Sequence, residues 1–162
     1  MSNRHLVPVS LAIVLLGSIA DRAPAQTEVP TGGLIAGFQE VLDEIPLPDG
    51  RTIRRLRMRV AVTADDPSSP WHLGSQDCFA TYTFAADGAL EGGRGVCDFV
   101  SPEGDLWWLT LEASGSEPIR WQGLGEGTGK LAGLEHRGTT VPLAEWSDGR
   151  IVGRWEGTMT KK

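Results

Sequence analysis

The stretch Cys78-Phe-Ala-Thr-Tyr-Thr-Phe-Ala-Ala-Asp-Gly-Ala-Leu-Glu-Gly-Gly-Arg-Gly-Val-Cys97 holds both cysteines of the chain, with Asp87-Gly88 at its midpoint. Asp-Gly flanked by alternating apolar residues signals a tight antiparallel hairpin. A two-residue loop there places Cys78 opposite Cys97. Paired residues that exchange backbone hydrogen bonds have Cα atoms about 5.5 Å apart, within the reach of a disulfide. The bridge thus follows from register. Cys78, Ala80, Tyr82 and Phe84 share one face with Gly93, Gly95, Cys97 and Phe99, while Arg94 and Asp98 point the other way, so the bridge is expected to face the interior.

Working outward, Leu56, Met58, Val60 and Val62 alternate with arginines, the period-two pattern of a half-buried strand. Residues 65–74, with two prolines, read as a surface loop. Trp107, Leu109 and Leu111 fall on one face of the next run, and Leu106 and Trp108 on the other, where an outward apolar pair offers a surface for self-association. Further extended runs are expected at 119–123, 127–132, 134–143 and 151–160. In the last, Ile151, Gly153, Trp155, Gly157 and Met159 alternate large with small, which suits a strongly curved wall. Before the strands, Leu34, Ile35, Phe38, Val41, Leu42 and Ile45 follow helical spacing, with Thr31 as cap and Pro46 as stop. The expected fold is all-β: a closed antiparallel barrel of about eight strands with one short N-terminal helix.

The first residues bound the compartment. Arg4 and His5 precede an uncharged apolar run over 6–20, and Ala23-Pro24-Ala25 offers a cleavage site before Gln26, the form of a signal peptide. The run of about 15 residues is too short for the roughly 20 that span a bilayer. The expected organisation is a leader over 1–25, an arm and helix over 26–50, and a barrel domain over 51–162, with the mature protein exported to a periplasmic or extracellular location. The formal charge is −6; losing a leader with Arg4 and Arg22 against Asp21 alone takes it to −7. Such acidity argues against nucleic acid or an anionic membrane as partner. The arginines at 51, 54, 55, 57 and 59 form a basic stripe whose ordinary explanation is local ion pairing on a solvated face.

Gly127-Thr-Gly-Lys-Leu-Ala-Gly-Leu134, followed by Gly138-Thr139 and closed by Asp148-Gly-Arg-Ile-Val-Gly-Arg-Trp-Glu-Gly-Thr158, resembles the glycine-rich strand pair of bacterial secreted proteins related to the allene oxide cyclase and dirigent barrels. The resemblance spans the last third of the mature chain. It implies an eight-stranded barrel with a central apolar cavity and relatives that are often oligomeric. Leu131 stands where an aromatic residue is usual and Arg137 interrupts the second motif; no catalytic residue of the plant enzymes has a counterpart.

Motif chemistry narrows the function by exclusion. The glycines from Gly123 to Gly129 miss phosphate-loop spacing, with Leu131 in place of the metal-binding hydroxyl, and no helical pattern follows them to serve a dinucleotide. His72 and His136 have no ligand spacing, so no metal and no cofactor is implied. There is no Gly-x-Ser-x-Gly, and both cysteines belong to the bridge. Acid-base chemistry keeps three candidates: Glu91, read as inward beside Tyr82 and Phe84; Tyr82 itself; and His136. A ligand cavity would be lined by Met58, Val60, Tyr82, Phe84, Trp107, Trp121 and Trp155, whose indole N–H groups orient polar atoms. Three functions follow: a binder of a small apolar molecule, a cyclase or isomerase using acid-base chemistry in the barrel, or an interaction module with a filled core. A carboxylate in the cavity would favour the enzyme, and an apolar lining the binder.

Overall fold

The computed structural model describes residues 27–161; the expected leader lies outside them. Eight antiparallel strands close into one barrel in simple sequential order. They are β1 (Val29–Pro46), β2 (Thr52–Ala64), β3 (Gly74–Phe84), β4 (Leu90–Val100), β5 (Leu106–Ser114), β6 (Ile119–Gly127), β7 (Leu134–Glu145) and β8 (Arg150–Lys161). Among the described residues, no helix is long and apolar enough to cross a membrane.

The strand count agrees with the sequence reading, but two segments exchange roles. The helix expected over 34–45 is the middle of β1, paired with β2 on one side and β8 on the other. Its spacing misleads because four residues are also two strand repeats: Leu34 and Phe38 both face outward, Ile35 lies on the opposite face, and a bulge between Val41 and Asp43 resets the alternation. Gly33 and Gly37 also favour the strand, since a Cβ at either would lie 1.8 or 2.1 Å from a carbonyl oxygen of β2. Conversely, the strand expected over 127–132 is absent; a 3-10 turn at Gly129–Leu131 stands there and buries Leu131. The barrel therefore begins well before residue 51.

Cys78 pairs with Cys97 in the β3–β4 ladder and is bridged to it. The Cα atoms are 4.0 Å apart, nearer the short spacing of a non-hydrogen-bonded pair than the 5.5 Å expected. The turn itself is longer than the two-residue loop of the sequence reading. Ala85 N–H donates to Ala89 O at 2.8 Å and Gly88, at φ +86°, donates to Ala85 O at 2.9 Å, a three-residue connection that shifts the pairing by one. A bulge then restores it: Thr83 faces Gly92 but Phe84 faces Leu90. Glu91 is the extra residue.

Inside, large rings lie flat on glycines of neighbouring strands. A Cβ on Gly123 would sit 2.0 Å from the Trp107 ring, on Gly74 2.1 Å from Phe99, on Gly93 2.2 Å from Tyr82, and on Gly138 2.5 Å from Trp121. The glycine content of the strands is thus the complement of the aromatic content of the core. At one end the connections fold inward, delivering Trp71 and Leu131 to the core. Asp105 and Thr128 pin that end by accepting backbone N–H bonds from Lys130 (2.9 Å) and Leu106 (2.8 Å). Leu106 and Trp108 are half-buried; more exposed apolar side chains lie elsewhere, at Leu34, Phe38, Leu42, Val141 and Leu143.

Candidate functional site

Because inward positions recur every second residue, β5, β6, β7 and β8 each aim one ring into the same end of the barrel: Trp107, Trp121, His136 and Trp155. The β2–β3 connection adds Trp71. His136 is the hub. Its ring stacks on Trp71 at 4.5 Å and 19°, meets the edge of Trp121 at 4.6 Å, and lies 5.8 Å from both Trp107 and Trp155. Thr31 Oγ1 of β1 shares a 2.6 Å hydrogen bond with His136 Nε2. Burial among these rings pushes the imidazole pKa from its ordinary 6.5 down to about 3, because the cation loses solvation that nothing nearby replaces. Near neutral pH the ring is uncharged.

Between this cluster and the opposite end runs a cavity of about 90 Å³. Met58, Val60, Tyr82, Trp107, Trp121 and Trp155 all line it, together with His136. The polar wall is sparse: besides the rings it consists of Gln76 and Thr140, and among the described residues no Asp, Glu, Lys or Arg contributes. Four buried donors have no hydrogen-bond partner among the described residues: Trp71 Nε1, Trp107 Nε1, Trp155 Nε1 and Tyr82 Oη. All four residues border the cavity and are at least nine-tenths buried. Burial also raises the Tyr82 pKa, so its hydroxyl keeps its proton.

Two expected residues lie elsewhere. Glu91, as the bulged residue of β4, turns outward, and its carboxylate faces Arg51 at 3.4 Å. Phe84 packs in the smaller cluster with Leu56, Ala80 and Tyr82 and under the Arg54 guanidinium, 4.7 Å from the ring centre, rather than on the cavity. Two contributors escaped the sequence reading. Trp71 sits in what reads as a surface loop, and the sole hint was a tryptophan among serines and prolines, a costly residue to leave in water. Thr31 reads as a helix cap, and only the closure of β1 onto β8, which in turn pairs with β7, brings it to His136.

No family model and no curated protein matches the chain. Among solved structures, the chain is similar to the pterocarpan synthase dirigent protein GePTS1, with a TM-score of 0.53 and 15% identity over 84% of this chain and 91% of that one. It is likewise similar to the pterocarpan synthase dirigent protein PsPTS1, at a TM-score of 0.55 and 14% identity, covering 83% and 96%. The resemblance is one of fold, a dirigent-type barrel.

Proposed function

We propose that the protein binds one small, largely apolar molecule inside its barrel and does so outside the cytoplasm. The cavity carries this reading. A barrel of eight strands is just wide enough to be filled by its own side chains, and here glycines let the rings lie against the wall, leaving about 90 Å³ free at the centre. A cavity of about 150 Å³ accepts benzene, so a space of about 90 Å³ takes an occupant smaller than a six-membered ring. The names of the two similar barrels, both pterocarpan synthases, support an interior that admits small molecules. Export is supported by the expected leader and by the Cys78–Cys97 bridge, since such bridges persist in oxidising compartments.

Catalysis is the weaker reading. Of its three acid-base candidates, Glu91 stands outside the cavity, and Tyr82 and His136 are both held uncharged by burial.

Titration with small apolar probes such as xenon and cyclopropane, followed by tryptophan fluorescence and by nuclear magnetic resonance of the bound probe, tests the proposal. A saturable one-to-one change that Val60→Phe removes is expected. Absence of any saturable binding in the native protein would refute it.

A further inference from the structure

The outer wall of the barrel is not uniform. Across β2, β1, β8 and β7 the outward row Ala61–Ala36–Val152–Ala144 carries no charge. Leu34 and Phe38 flank that row on β1, and Val141 and Leu143 lie at its β7 end; these four larger side chains are 42% to 58% exposed. On the other side of the barrel the outward row Arg55–Thr81–Arg94–Glu112–Arg120 crosses β2 to β6 with four charges. Single exposed apolar residues are ordinary, but a contiguous apolar face spanning four strands marks a surface that is covered in use.

Shape and charge indicate what covers it. The alanines form a shallow floor beside the ridges of Leu34 and Phe38, so one surface offers both a recess and side chains to fill it, as a contact between identical faces requires. Two sheets with such faces pack about 10 Å apart. At the rim, Arg59 lies 4.0 Å from Glu40, Arg150 2.8 Å from Asp148, and Arg154 2.5 Å from Asp65 and 3.5 Å from Glu156. Each rim guanidinium is therefore paired within its own chain, and the face calls for no charged partner. The whole chain has a formal charge of −6, so two copies repel in general and repel least through a face whose charges nearly balance. A strongly basic partner would be drawn instead to the excess carboxylates elsewhere.

We propose that the outer face of β2, β1, β8 and β7 is a self-association surface, through which two copies of this chain pair about a two-fold axis and set the ridge side chains of each against the alanine floor of the other. The face is separate from Leu106 and Trp108, which are half-buried on β5, and it acts independently of the cavity. Sedimentation velocity of the protein with its Cys78–Cys97 bridge intact, from micromolar to near-millimolar concentration, should show a reversible monomer–dimer equilibrium. Ala36→Arg puts a charge at the centre of the face on an outward, exposed position, and should weaken association about a hundredfold or more. Val96→Arg, at a position 55% exposed on the other side of the barrel, should leave association unchanged. Should Ala36→Arg fail to fold, the native protein still decides: with a soluble paramagnetic probe, the methyl groups of Ala36, Ala61 and Leu143 should become protected as concentration rises while those of Val96 stay accessible. A monomer at every concentration, an assembly larger than a dimer, a dimer that Ala36→Arg leaves intact, or protection at Val96 in place of Ala36 would overturn the proposal. So would a monomer that floats with phosphatidylcholine vesicles, which would make the face a lipid contact.

Discussion

On the outer wall every arginine from Arg51 to Arg154 has a carboxylate within 4.0 Å, whereas on the inner wall four buried donors have no partner among the described residues. Solvent explains the direction of the contrast. An exposed charge can be satisfied by water, so its ion pairs are inexpensive and individually weak. A buried N–H has no such recourse, and leaving it unpaired costs more than an average hydrogen bond contributes. The outer groups are thus satisfied by one another and by solvent, while the inner donors are sealed among rings. The outer arginines, including the stripe from Arg51 to Arg59, are accordingly structural: Arg57 holds the Asp77 carboxyl below its usual range by hydrogen bonding, and Arg154 does the same for Asp65.

The sharpest way to break the inner wall is Gly123→Ala, whose Cβ would enter the Trp107 ring at 2.0 Å. A loss of about 3 kcal/mol or more is expected from such overpacking, read by urea denaturation. Reducing Cys78–Cys97, which closes a separation of 19 residues, should cost about 3 kcal/mol, seen as a lower melting temperature with dithiothreitol.

Acid should act through His136. Its pKa is 6.5 ordinarily and about 3 in the fold, so between those values the unfolded chain binds a proton that the folded one refuses. Its contribution is complete above about pH 6.5 and declines as pH falls towards 3. Stability should drop by about 2 kcal/mol from pH 7 to pH 5, a window above the range in which carboxylates such as Asp65 and Asp77, both with lowered pKa values, titrate. In His136→Phe the slope over that window should flatten; an unchanged slope would mean that another group carries it.

Tyr82→Phe deletes a buried hydroxyl without a partner among the described residues, so the protein should keep its stability or gain up to about 1 kcal/mol. Arg94→Gln, on a side chain 84% exposed beside Glu112, should change stability by less than about 0.5 kcal/mol. An outer substitution costing more than Gly123→Ala would reverse the contrast between the walls.

Alternation and turn residues alone specify the all-β class, the faces of β2 to β5, the Cys78–Cys97 pairing and the inward aim of Trp107, Trp121 and Trp155, because period-two patterning and turn chemistry act between near neighbours. Even there, the cysteine register survived only because an extra turn residue and the bulge at Glu91 offset each other. Tertiary structure alone decided the identity of β1, the burial of Trp71 and the Thr31–His136 contact. An even apolar spacing fits helix and strand alike until a sheet with two open edges supplies hydrogen-bond partners on both sides. A loop tryptophan likewise turns inward only once closure has made a hydrophobic interior for it to enter.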